Sequence, residues 1–185
     1  MLTTDHELLD LIALAANAGM VGQHEEAIRQ LEYVLQMSPN LAQAHFLLGS
    51  QYAATGRMDD AINATAIAVS CDQQLDIACF QLGLLLLSAG RMTEARLAWS
   101  PLDKLGSAAP LVLFKTGLLH MVNEELAIAL DYLELGLTKP NDNQALLDEM
   151  RKIAAQIKLG LKEGQGSVNA ASIWLASHAA DKGLH

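Results

Sequence analysis

Residues 42–75 read AQAHFLLGSQYAATGRMDDAINATAIAVSCDQQL, and the organisation of the whole chain follows from them. In the first part, Phe46, Gly49 and Ala53 recur at three- and four-residue steps, as do Leu47, Leu48 and Tyr52, which is the period of a helix with one apolar face. Thr55-Gly56-Arg57 is a turn signal. Ala61, Ile62, Thr65 and Ala68 then resume the helical period. The stretch therefore reads as helix, turn, helix.

The same unit recurs. Ala27, Ala61, Ala95 and Ala129 are successively 34 residues apart. So are Gly49, Gly83 and Gly117, with Ala15 in the matching place upstream. Gly22, Gly56 and Gly90 form a third ladder, ending at Glu124, and Phe46, Phe80 and Phe114 form a fourth, preceded by Ile12. Self-similarity at a fixed period is the signature of a stacked repeat, in which no single unit can bury its apolar face alone. The units fall at about residues 8–41, 42–75, 76–109 and 110–143.

These residues resemble the tetratricopeptide repeat family, whose 34-residue units carry an L-G-x-x-Y motif on the first helix and a small residue early in the second. Unit two matches best, with Leu48-Gly49-Ser50-Gln51-Tyr52, Gly56, Ala61 and Ala68. Unit three keeps Leu82-Gly83, Gly90 and Ala95 and places Trp99 at the large second-helix position. Unit one has Leu14-Ala15, Gly22, Ala27, Leu31 and Pro39; unit four has Thr116-Gly117, Ala129 and Pro140 but no turn glycine. The resemblance spans about three quarters of the chain. It implies an all-α fold: a right-handed superhelical solenoid of about four helix-turn-helix units, with a capping helix at 143–163 closing a repeat domain at residues 1–163.

The ends follow other signals. Thr4-Asp5-His6-Glu7 reads as a capping box opening the first helix. Leu146, Met150, Ile153, Ile157 and Leu161 form the apolar stripe of the capping helix, with Arg151, Lys152, Lys158 and Lys162 off it. Gly164-Gln165-Gly166-Ser167 reads as a flexible linker, and Ala170 to Lys182 as a short helix carrying Ile173, Trp174 and Leu175. Pro101 falls inside the second helix of unit three. Proline lacks the amide that helix needs and clashes with the preceding turn, so a break is expected near Trp99-Ser100.

Composition excludes several functions. Just over half of the residues are apolar, which suits a packed domain, and the net charge is −9. A protein that neutralises phosphates needs a basic stripe, and none is present, so no nucleic acid is expected as partner. Residues 1–100 hold eleven acids and four bases; residues 101–185 hold ten and eight. The longest strongly apolar run, Leu82 to Leu87, is far short of the roughly 20 residues that span a bilayer. The N-terminus lacks the basic start of a signal peptide. Two cysteines, Cys71 and Cys79, make no disulfide framework and read as small core residues. A cytoplasmic location is expected, without membrane insertion.

No catalytic, cofactor or metal constellation stands out, and the chain does not read as an enzyme. The six histidines lack the i, i+4 spacing of a helical metal site. His45 and His120 stand at repeat positions that elsewhere hold bulky residues and are expected in the core. Acid pairs Glu25-Glu26, Asp59-Asp60 and Glu124-Glu125 fall at the starts of second helices, where they complement the helix dipole.

The resemblance also implies a site. In the family, one face of the first helices lines a concave surface that holds partner segments. The corresponding positions are Ile12, Phe46, Phe80 and Phe114 in one row, with Ala16, Ser50, Leu84 and Leu118 one turn on. Leu9, Ile77, Leu87, Leu111 and Met121 flank them. Family members that grip a C-terminal carboxylate use Lys, Arg and Asn from these helices; here the row is apolar, which argues for an apolar helical or extended protein segment instead. Trp174 is a further candidate anchor, for a partner or for the chain's own groove. The expected function is that of an adaptor or scaffold. The alternatives are a chaperone similar to the small tetratricopeptide chaperones of type III secretion, or a subunit that self-associates, for example as a homodimer.

Overall fold

The computed structural model describes residues 5–162. Thr4 of the expected capping box, the linker at 164–167, the expected tail helix and Trp174 lie outside the described residues. Among the described residues there are nine α-helices and no strand. In chain order they are α1 (Asp5–Met20), α2 (His24–Met37), α3 (Ala42–Ala54), α4 (Met58–Cys71), α5 (Asp76–Ser88), α6 (Met92–Trp99), α7 (Pro110–Val122), α8 (Leu126–Leu137) and α9 (Gln144–Lys162). A 3-10 helix, Ser100–Leu105, follows α6. The fold is an all-α helical repeat: α3, α5 and α7 open on residues that stand at successive 34-residue steps.

Two compact units divide the chain, Met1–Pro101 and Leu102–His185. In the first, α1 packs on α2, α3 on α4 and α5 on α6, and α2 and α4 pack on the first helix of the following pair. Ile12, Leu31, Val34, Leu48, Tyr52, Ile62, Leu82 and Leu86 belong to its core. In the second, α8 packs on both α7 and α9. Phe114, Leu118, Met121, Leu133, Met150, Ile153 and Ile157 are fully buried there. Leu161, expected on the buried stripe of α9, is exposed. The buried face of α9 runs through Ile157 and Gly160, and Leu161, one residue on, is turned about 100° away from it.

A small residue on each first helix lets the pair approach. A Cβ added at Gly49 would collide with the Thr65 hydroxyl, one at Gly83 with the indole of Trp99, and one at Gly117 with Leu133. The partners at 65, 99 and 133 form their own 34-residue ladder, so each pair is a small residue facing a variable one. Thr65 is fully buried and donates its hydroxyl proton to the Ala61 carbonyl at 2.8 Å, which satisfies the only polar group this contact buries in that pair.

The turns are just as regular. Gly22, Gly56 and Gly90 have φ of 79°, 78° and 74°, a left-handed conformation that closes a helix C-terminus and suits glycine. The next amide folds back on the last turn: Gln23 N–H to the Ala18 carbonyl at 2.9 Å, Arg57 to Tyr52 at 2.8 Å and Arg91 to Leu86 at 2.8 Å. Unit four makes the same turn without glycine. Glu124 has φ 63°, and the Glu125 amide reaches the His120 carbonyl at 3.0 Å. Glu25, Glu26, Asp59, Asp60 and Glu94 stand in the first turns of the second helices. Glu124 and Glu125, expected there too, precede α8 instead, because its first turn begins at Leu126.

Three details complete the description. The α6 helix stops at Trp99, two residues before Pro101, and the chain continues as the 3-10 helix. Cys79 is buried, but Cys71, expected in the core, is exposed because it is the last residue of α4 and lies beyond the packed face. No helix among the described residues is long and apolar enough to cross a membrane.

The left-handed conformation costs an L-residue roughly 1–2 kcal/mol, less the backbone entropy that glycine loses. Glu124→Gly should therefore raise the unfolding free energy by about 0.5–1 kcal/mol, and Gly56→Ala should lower it by about 1 kcal/mol. Urea unfolding followed by circular dichroism measures both.

Candidate protein-binding surface

The row inferred from the repeat positions is not uniformly open. Phe46 and Ser50 on α3 are half-buried, as is Ala16 on α1. Ile12 on α1 and Leu84 on α5 are buried, and Phe80 is 0 % exposed. In the second unit Phe114 is also 0 % exposed and Leu118 is buried beside it on α7. Of the flanking positions, Leu9 is exposed, Ile77, Leu87 and Leu111 are half-buried, and Met121 is buried.

The phenylalanine ladder is therefore not a uniformly accessible row, and the causes are local. The ring of Phe80 stacks on Trp99, with centroids 6.0 Å apart and planes at 29°. The Trp99 indole N–H also donates to the Phe80 carbonyl at 2.8 Å. Ring and backbone of Phe80 are thus both held by α6. In the second unit the ring of Phe114 lies against Gly136 on α8, where an added Cβ would come within 2.5 Å of Cε1. The absence of a side chain at Gly136 makes room for that ring. Phe46 has no such partner: Thr65 stands where unit three has Trp99, and it is too short to stack on a ring. Ser50 turns its hydroxyl to the Phe46 carbonyl at 3.1 Å, which leaves the surface beside Phe46 largely apolar.

A polar network borders the first unit's core. Tyr52 donates to Glu32 Oε1 at 2.9 Å, and the Arg57 guanidinium lies 4.2 Å above the Tyr52 ring. Burial and the Glu32 carboxylate hold the Tyr52 phenol above its ordinary pKa. His24 Nδ1 and Gln51 Oε1, 2.9 Å apart, link α2 to α3. The Tyr52–Glu32 and His24–Gln51 contacts join successive repeats. His45 and His120, expected in the core, are half-buried instead. His45 Nε2 bonds the Pro39 carbonyl at 2.8 Å, and His120 stacks on Tyr132 with centroids 5.4 Å apart. Each imidazole keeps a polar atom for a turn, which a fully buried position would deny it. Among the described residues no group of three or more His, Cys, Asp or Glu side chains gathers as a metal site would.

One feature escaped the sequence reading. An apolar cleft of about 350 Å³ opens between α4 and α6, floored by Leu82 and Leu86 of α5 and walled by Ile62, Val69, Leu97 and Pro101. The signal for it was an apolar Leu97 at the repeat position that Asn63 holds in unit two.

Replacing a fully buried phenylalanine by alanine typically costs about 3–5 kcal/mol. Phe80→Ala and Phe114→Ala should each cost that much in chemical denaturation. Phe46→Ala should cost about 1–2 kcal/mol, in proportion to the area it buries.

The sequence profile described as tetratricopeptide repeat matches residues 20–82. No curated protein matches the chain in sequence. Among solved structures, the chain is similar to MamA, with 22% identity over 70% of this chain and 76% of that one and a TM-score of 0.59. It is similar to YrrB, a protein "with an unusual peptide-binding site", with 17% identity over 90% and 82% of the two chains and a TM-score of 0.56. It is also similar to the type III secretion translocator chaperone SycD of Yersinia enterocolitica, with 16% identity over 82% and 90% and a TM-score of 0.50.

The tetratricopeptide repeat profile covers residues 20–82, and the 34-residue ladders and helix pairs carry the same helical-repeat fold beyond it. Repeats of this class are in general protein-interaction modules rather than enzymes, because stacked helix pairs present extended surfaces to other chains.

Proposed function

We propose that the chain is an adaptor that holds an apolar segment of another protein on the first-helix face of its first unit, around Phe46. The observation that carries this reading is the contrast within one ladder. Phe80 and Phe114 are packed against their own second helices, whereas Phe46 keeps part of its ring in solvent. An aromatic ring held half-open on a rigid helix is a low-entropy anchor for a partner side chain. Ile12, Phe80 and Leu84 act as supporting core in this reading, with Phe46, Ser50 and Ala16 as the contact positions. Phe114 and Leu118 play the same supporting part in the second unit.

The acidic balance of the first hundred residues favours a partner segment with basic flanks, since complementary charge speeds encounter. The unusual peptide-binding site of YrrB supports a segment-binding role for this fold. SycD shares the fold as MamA and YrrB do, so the likeness favours no secretion-chaperone role over a general adaptor. Cytoplasmic location is part of the same proposal.

The test is affinity capture from the native cell with three forms of the full chain: wild type, Phe46→Glu and Leu97→Glu. Both substitutions are at positions with solvent access, so helical circular dichroism should be retained. The proposal expects captured proteins to be lost with Phe46→Glu and kept with Leu97→Glu. The reverse pattern would move the site to the α4–α6 cleft and overturn the proposal.

A further inference from the structure

A second surface is independent of the Phe46 face. The 34-residue step that carries Leu14 of α1 to Leu48 of α3 and Leu82 of α5 links three equivalent positions. Leu48 is 6% exposed and Leu82 9%, but Leu14 is 54% exposed. The difference lies in what precedes each helix. The preceding second helix, α2 or α4, packs on α3 or α5, whereas among the described residues no helix pair precedes α1. Repeat stacks ordinarily end in a polar outer face, and here the large apolar Leu14 stands on it.

The second unit carries a surface that complements this one. A shallow pocket of about 230 Å³ lies between α8 and α9, with Leu137, Ala154 and Ala155 as its apolar lining; at its edge Lys158 pairs with Glu134 at 2.7 Å and Arg151 with Asp148 at 2.7 Å. It can admit one branched aliphatic side chain. The α1 helix has Asp5, Glu7 and Asp10 and no lysine or arginine, whereas α9 has four basic residues against two acids. Pairing α1 with a second α1 would set acid against acid; pairing it with α9 sets opposite charges together.

We propose that copies of this chain associate head to tail, with Leu14 of one copy seated in the α8–α9 pocket of the next. The occupant of the leading face of α1 is thus a second copy, and the contact is heterologous, so each added copy leaves a free face and a free pocket for another.

Sedimentation velocity of the full chain tests this. Wild type should form species whose size grows with concentration and shrinks as salt is raised. Leu14→Glu and Ala155→Glu change exposed positions and should each sediment as a monomer with unchanged helical circular dichroism. Mixed together, they should form a one-to-one dimer and nothing larger, because one supplies the intact pocket and the other the intact face. Wild type that stays monomeric at hundreds of micromolar overturns the proposal. So does assembly that survives both substitutions, assembly lost with Leu14→Glu but kept with Ala155→Glu, or a mixture of the variants that stays monomeric.

Discussion

Two helices can come together closely where one presents glycine and the other a side chain shaped to fill the gap. That contact, at Gly49–Thr65, Gly83–Trp99 and Gly117–Leu133, underlies the rest of the architecture. It sets the spacing within each pair, and the pair in turn presents a broad apolar face to its neighbour. The turn that joins the helices is fixed separately, by a left-handed residue and one folded-back amide. Because both devices repeat at the same step, each helix pair has the same internal geometry whatever its remaining residues are.

The variable partner in that contact is where the units acquire individual character. Threonine at 65 is short and leaves the ring of Phe46 partly open. Tryptophan at 99 is large, stacks on Phe80 and binds its carbonyl. Leu133 leaves Phe114 to pack on Gly136 instead. One ladder of phenylalanines thus has different fates, decided on the opposite helix. A surface for a partner and a core element can therefore occupy the same repeat position in neighbouring units.

Much of this was legible in the sequence. The period, the turns and the break ahead of Pro101 are local signals, and local signals translate directly into backbone. The face on which a residue lies was also legible, because a helix has one period. What covers that face was not. The burial of Phe80 depends on Trp99, nineteen residues away, and that of Phe114 on a glycine whose significance is an absence of volume. The exposure of Cys71 depends on where a neighbouring packed face stops. The turn at Glu124 shows the converse: the ladder broke in sequence, yet the backbone kept its conformation because the flanking helices impose it.

The central claim is that the small-against-large contact is what holds each pair at its distance. A double-mutant cycle at Gly83 and Trp99 tests it most directly, using urea unfolding of the wild type, Gly83→Ala, Trp99→Leu and the double variant. If the claim is right, the methyl at 83 is costly only while the indole faces it, so the double variant should be more stable than the sum of the single effects implies, with a coupling on the order of 1 kcal/mol or more. Additive effects within about 0.3–0.5 kcal/mol would contradict it.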